Sequence, residues 1–243
     1  KFPQKPLPLA PRATQKPERL RIGYFSSDFK EHPVASLIAK VIETHDRDFF
    51  EVFGYSLGPA KDDKMRHRLI KGFDVFDDLR DMSDQDIALI ARQDKIDIAI
   101  DLTGYTRYGR PGVFAYRAAP VQINYLGYPG TMGAIFYVYI IADHTLILEE
   151  QRGNYSENII YLPNCYMPQD NTRQISKKQI SRTIFNLPDD AFVFCCFNNS
   201  SKIGPKEFDI WMRLLSKVDE SVLWLLWNSP LKVAHPLGYV YPY

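Results

Sequence analysis

The chain has 243 residues and a formal net charge of +1, from 30 Lys and Arg against 29 Asp and Glu. Basic and acidic residues are interspersed, which argues against a nucleic-acid face, and a chain 45% apolar and 24% charged is neither a disordered tail nor a fibre. Cys165, Cys195 and Cys196 have neither metal-ligand nor disulfide spacing, no apolar run nears the ~20 residues of a membrane helix, and a soluble, cytoplasmic protein is expected.

Residues 1–18 carry five prolines and no apolar period, so they read as a linker or extended arm. Leu20 to Phe25 is a short apolar run stopped by Ser26-Ser27-Asp28, a strand feeding a loop. From Pro33 to His45, Val34, Leu37, Ile38, Val41 and Ile42 recur at helical spacing. A second strand is expected at Phe50 to Ser56, a helix at Met82 to Gln93 capped by Ser83 or Asp84, and strands at Ile96 to Leu102, Val121 to Leu126 and Tyr137 to Ala142. The carboxylates of Asp62-Asp63 and Asp77-Asp78 read as exposed loops, and the three cysteines as small apolar packing groups. This alternation predicts an α/β domain with a largely parallel sheet, whose ligands lie beyond the carboxyl ends of the strands.

The pattern pauses over a polar crossing segment and then restarts with a strand at Ala191 to Phe197, a helix at Lys206 to Val218 and a strand at Val222 to Leu226. Trp211, Trp224 and Trp227 are expected in the core of this second unit. The resulting plan is an arm at 1–18, a first lobe at 19–165, an interlobe segment at 166–184, the opening of a second Rossmann-like lobe at 185–228 and a tail at 229–243.

Four loops between a strand and a helix can carry chemistry. In Ser26 to Pro33, the imidazole of His32 can take a proton from a hydroxyl or bond a sugar; it can equally cap the helix that starts at Pro33. In Asp101 to Thr106, Gly104 lets a ligand approach the backbone and the hydroxyls of Thr103 and Thr106 can pair with sugar oxygens, or the segment is a plain turn. Leu126-Gly127-Tyr128-Pro129-Gly130-Thr131-Met132-Gly133 fits neither a Walker loop nor a dinucleotide fingerprint and is a ligand-facing loop of unassigned type. In Phe197 to Pro205, which contains Asn199, the ammonium of Lys202 and free N–H groups at a helix start suit a diphosphate; a solvated lysine is the plainer reading.

Taken in register, Arg21-Ile22-Gly23-Tyr24-Phe25-Ser26-Ser27-Asp28-Phe29, His32-Pro33, Gly104-Tyr105-Thr106, Ala119-Pro120-Val121-Gln122 and Leu126 to Thr131 resemble the O-linked N-acetylglucosamine transferase and SPINDLY family. Tyr155-Ser156-Glu157, Tyr161-Leu162-Pro163, Lys202-Ile203 and Leu223-Trp224-Leu225-Leu226 continue the similarity. The resemblance implies a GT-B architecture of two Rossmann-like lobes and inverting transfer of N-acetylglucosamine from UDP-GlcNAc to Ser or Thr of a protein or peptide. It implies no cofactor and no metal, with neither nucleic acid nor membrane as partner. By motif position His32 would be the base or orienting group and Lys202 the cation on the leaving diphosphate. Thr106, Leu126 and Gly127 would line the sugar, Thr103, Tyr128 and Pro129 are further candidates for binding substrate, and Asn199, also a substrate-binding candidate, stands where the family often has Gln. GDP-fucose as donor, or a catalytically incomplete protein-binding module, is the alternative. The family's His-Thr-Thr-Gly motif is missing and residues 229–243 do not resemble the family, so turnover is expected of a longer parent rather than of this chain alone.

Overall fold

The computed structural model describes Pro8, residues 17–226 and residues 239–242, and divides into two compact units, residues 1–173 and 174–243. In the first unit the elements run β1 (Leu20–Ser26), α1 (Pro33–Thr44), β2 (Phe50–Ser56), α2 (Lys64–Gly72), β3 (Val75–Asp78), α3 (Asp84–Gln93), β4 (Ile98–Asp101), α4 (Pro111–Ala115), β5 (Val121–Asn124), β6 (Tyr139–Ala142) and β7 (Asn158–Tyr161). The seven strands form one sheet in the order β3-β2-β1-β4-β5-β6-β7, with every neighbouring pair parallel. The strand order reverses between β1 and β4, and this is the switch point outside which doubly wound sheets bind ligands.

Each face of the sheet has its own core. Ala35, Ile38, Ala39 and Ile42 of α1 and Leu69 of α2 pack on Ile22, Tyr24, Val52 and Ile100. On the opposite face Ile87, Ala88 and Ala91 of α3 and Val113 and Phe114 of α4 pack on Phe25, Phe53 and Tyr55. Alternation along β1 and β2 sends successive side chains to opposite cores, as the two-residue period of a strand requires. Pro33 occupies the first turn of α1, where its missing N–H leaves no helical bond unmade. At the other end, Arg47 donates to the carbonyls of Ile42, His45 and Gly72, so one guanidinium closes both α1 and α2.

The second unit comprises β8 (Phe192–Cys196), α5 (Pro205–Leu215), β9 (Ser221–Leu225) and β10 (Tyr239–Pro242). β8 and β9 are parallel, as the opening of a Rossmann-like unit demands, and β10 runs antiparallel on the free edge of β9. A small core of Leu187, Ala191 and Val222, with Phe185, Val193 and Trp224 against it, holds the unit together.

Several expectations need correction. Asp62-Asp63 does lie in a loop, with Asp62 exposed and Asp63 the N-cap of α2, but Asp77 and Asp78 are the last two residues of β3 rather than a loop. Cys165, in the loop after β7, and Cys195, on β8, are exposed rather than packed. Trp211 is only half-buried on α5, and Trp227 lies outside the described residues. β7, whose four residues alternate between exposed and half-buried, and the five-residue α4 are further elements that the apolar pattern does not announce.

Candidate functional site

The loop after β1 starts at the switch point. The Ser27 amide donates to Thr103 Oγ1 at 3.0 Å, and the Ser27 hydroxyl donates to Asp28 Oδ2 at 3.1 Å. His32 ends this loop in extended conformation (φ −154°, ψ 149°) and is the N-cap of α1, with Nδ1 accepting the Val34 N–H at 3.3 Å. An Nδ1 that accepts leaves the proton of the neutral ring on Nε2, so the ring presents a donor on its other edge. Asp28 Oδ2 is 3.8 Å from the same Nδ1. The helix-capping and ligand-bonding readings of His32 are therefore compatible: Nδ1 serves the cap and Nε2 stays free for a ligand.

The loop after β4 packs beside it. Asp101, fully buried, accepts the N–H groups of Thr103 at 2.9 Å and Gly104 at 3.0 Å on Oδ1, and the Tyr137 hydroxyl at 2.5 Å on Oδ2. Burial pushes the Asp101 carboxyl above its ordinary value, against the pull of Tyr137 and the two amides. Thr103 is buried and its hydroxyl oxygen is engaged by Ser27, so it joins the two loops from inside. Thr106 is exposed and donates to the Thr103 carbonyl at 2.8 Å, which leaves its oxygen lone pairs outward.

The loop after β5 crosses directly over the end of β4. Leu126 has φ +71°, and the Gly127 amide returns to the Tyr125 carbonyl at 2.9 Å, a γ-turn with a left-handed centre. A Cβ on Gly127 would lie 2.0 Å from the Leu102 carbonyl oxygen, so only glycine permits this approach. Tyr128 packs edge-on against Tyr105, with ring centroids 5.7 Å apart. Asn124 Nδ2 donates to the carbonyls of Tyr128 at 2.9 Å and Gly130 at 3.2 Å, and the exposed Pro129 accepts the Tyr155 hydroxyl at 3.2 Å. Glu157, buried, accepts the Met132 amide at 2.6 Å and the Thr131 hydroxyl at 2.7 Å. Backbone strain of the Leu126 kind is concentrated at ligand sites when the surroundings hold it in place, as these bonds do.

Thr103, Thr106, Leu126, Gly127, Tyr128 and Pro129 are thus brought together beyond β4 and β5, with His32 next to them through the Asp28–Ser27–Thr103 bonds. The rim is cationic and aromatic: the Arg107 guanidinium lies 4.8 Å and the Lys30 ammonium 5.9 Å from the exposed Tyr108 ring. Asn199 and Lys202 belong to the second unit, in the loop between β8 and α5. Asn199 caps a single 3₁₀ turn at Ser200–Lys202 by accepting the Ser201 N–H at 3.0 Å. Lys202 is exposed, and its ammonium has no hydrogen bond or ion pair among the described residues.

The supporting residues Asp101, Asn124, Tyr137 and Glu157 are not singled out by sequence. Asp101 alone carries a local signal, an acid at a strand end two residues before a loop amide. The others act through partners 4 to 36 positions away.

A parallel sheet with a switch-point crevice, followed by a second parallel βαβ start, is the element order of a GT-B glycosyltransferase. An O-GlcNAc transferase from Thermobaculum terrenum, solved as a lysine-to-methionine variant, superposes with a TM-score of 0.76 at 32% identity, covering 90% of this chain and 41% of its own. The chain belongs to glycosyl transferase family 41, whose model matches residues 3–180 and 173–232. It is 38% identical over 214 residues to the Arabidopsis thaliana protein named as probable UDP-N-acetylglucosamine–peptide N-acetylglucosaminyltransferase SEC, covering 86% of this chain and 22% of that one. It is 34% identical over 212 residues to the one named SPINDLY from the same plant, covering 85% and 23%. The chain therefore spans under a quarter of the length of these two relatives.

Proposed function

We propose that this chain forms the acceptor-side lobe and the opening of the donor-side lobe of a protein O-GlcNAc transferase. N-acetylglucosamine would pass from UDP-GlcNAc to a Ser or Thr hydroxyl with inversion, in the cytoplasm and without a metal ion. The observation that carries the reading is that, in a family 41 chain, the glycine-, threonine- and histidine-bearing loops after β1, β4 and β5 lie together at the switch point of the sheet. Both plant relatives carry UDP-N-acetylglucosamine in their names, and we adopt this donor over GDP-fucose.

In this reading, inversion requires the acceptor oxygen to attack the anomeric carbon from the face opposite the diphosphate. The wall of Thr106, Leu126, Gly127, Tyr128 and Pro129 fixes the sugar, its exposed backbone and hydroxyl edges bonding the sugar oxygens and Tyr128 covering an apolar face. His32 acts as an orienting donor through Nε2–H rather than as the base, because Nδ1 is committed to the α1 cap, and the proton of the acceptor hydroxyl passes to the departing diphosphate as the glycosidic bond breaks. Lys202, on the turn that Asn199 caps, supplies the cation for charge developing on the leaving diphosphate. A fixed cation at such a point stabilises the transition state more than the ground state.

The decisive experiment incubates the full-length protein with a Ser/Thr peptide and, in parallel, labelled UDP-GlcNAc and GDP-fucose. Label from UDP-GlcNAc alone is the expected result. Label from GDP-fucose alone would replace the donor, and label from neither would remove the transferase reading.

A further inference from the structure

His32 does not hold its own position. The chain that leads to it, Asp28 to Glu31, has only one backbone–backbone hydrogen bond among the described residues, Lys30 N to Asp28 O at 2.8 Å. Two side chains from α2 hold it instead. Asp63 accepts the Arg66 N–H on Oδ1 at 2.9 Å as the N-cap of α2, and accepts the Glu31 N–H on Oδ2, also at 2.9 Å. Although slight burial acts the other way, the amides of Glu31 and Arg66 hold the Asp63 carboxyl below its ordinary value. One turn further on, Arg66 is 8% exposed and spreads its guanidinium over four partners. It donates to the Phe29 carbonyl at 3.2 Å, to Ser56 Oγ at 3.1 Å and to Asp78 Oδ2 at 2.8 Å, and it lies 5.1 Å from the Phe76 ring.

The two grips fall on the peptide groups either side of Lys30 and leave His32 as the next residue. A buried guanidinium facing one carboxylate and neutral acceptors is a poor way to gain stability, since an apolar side chain of similar volume usually does as well. Its forked geometry is instead suited to fixing directions. His32 has two arrangements within reach. In one, Nδ1 accepts from Val34 and the proton sits on Nε2; in the other, a protonated Nδ1 donates to Asp28, whose Oδ2 is 3.8 Å away. Only the first offers a donor on the outer edge of the ring.

We propose that Asp63 and Arg66 are positioning residues for His32, holding the 28–32 loop so that the imidazole stays in its Nε2–H tautomer with Nδ1 on the α1 cap. Its meaning for turnover rests on the transferase reading; its structural content does not.

The test separates the clamp from the helix cap. Asp63→Ser retains a good N-cap but has one side-chain oxygen in place of two and cannot also reach Glu31, so the melting temperature should stay within about 3 °C of the parent. In this chain labelled with nitrogen-15, the Glu31 amide of the variant should exchange about tenfold faster. The two His32 ring nitrogens, assigned through His32→Gln, should move from separate shifts toward a common average as both tautomers populate. Arg66→Lys, which can reach Phe29 or Asp78 but not both, should show an intermediate shift, a graded rescue that mere loss of packing would not give. In the full-length protein Asp63→Ser should lower kcat about tenfold with the donor KM within about twofold. Unchanged Glu31 exchange and unchanged His32 shifts in a folded Asp63→Ser chain would overturn the proposal. A full-length protein without transferase activity would sink the functional reading and leave the imidazole spectrum to decide the clamp.

Discussion

At the residue scale, Gly127 is the position that fixes how closely the loops after β4 and β5 approach. A methyl group there would meet the Leu102 carbonyl oxygen at 2.0 Å, and the obstacle is backbone, not a side chain that can swing away. Gly127→Ala should therefore force the loops after β4 and β5 apart and lower stability by about 2 to 4 kcal/mol, read by urea denaturation of the chain. A loss below about 0.5 kcal/mol, the size of an ordinary surface change, would mean the loops yield freely and do not define a fixed wall. This constraint was not visible in the sequence beyond the presence of three glycines in eight residues, since a close approach depends on where a distant strand ends. His32 was legible as a cap or a ligand group because both follow from its place before Pro33. Asp63 was not, because its second partner is 32 positions away.

At the element scale, strands were easier to read than short helices. β1 and β2 are apolar-rich runs, buried over their last five residues, and their expected limits agree closely with the structure. α2 escaped notice because Lys64–Gly72 has Met65, Leu69 and Ile70 among five basic residues, too thin a stripe for periodicity to register. Its importance comes from what its polar face grips. The segment after β7 is tied back to the first unit in a similar way: the Tyr166 amide donates to Asp143, its carbonyl accepts the Tyr125 hydroxyl, and Asp170 pairs with Arg68 at 2.8 Å.

The last of these ties has a pH signature. The Thr172 hydroxyl first, then its amide and Arg68, draw the Asp170 carboxyl down to about 2. A depressed carboxyl stabilises the state in which it is ionised, so the tie is at full strength above the ordinary value of about 3.9 and is lost as pH falls through the lowered one. The Thr172 amide resonance should accordingly shift with a midpoint near 2. A midpoint close to 3.9, the value of a free aspartate, would show that Asp170 has no such partners in solution.

At the scale of the whole molecule, the division into two α/β units follows from a pattern that stops and restarts in sequence, and the fall in apolar content between them marks the crossing. What the sequence could not weigh is how much apolar surface the second unit leaves open: among its described residues Phe192, Phe197, Phe208, Ile210 and Leu214 are exposed, against five buried apolar side chains, Leu187, Ala191, Leu215, Val222 and Leu223. The catalytic part assigned to Lys202 is tested kinetically in the full-length protein. Lys202→Ala should lower turnover by about 10²- to 10³-fold while changing donor affinity far less, because the cation is asked to act on charge that appears only as the glycosidic bond breaks. Turnover within about twofold of the parent would return Lys202 to the status of a surface lysine beside a 3₁₀ turn.

The contact of Gly127 with the end of β4 also bears on how such a site can diverge. The gauge of the crevice is set by main chain against main chain, and the loops are fastened by Asp101, Asn124 and Glu157 from beneath. Tyr105 adds to that fastening through its hydroxyl on the Met132 carbonyl, whereas the outer side chains of Thr106, Arg107 and Tyr108 make no hydrogen bond to the loop after β5 among the described residues. Replacing them alters the lettering on the slot without altering its width. Relatives sharing only about a third of their residues with this chain can then keep the spacing of these loops while their outer side chains differ.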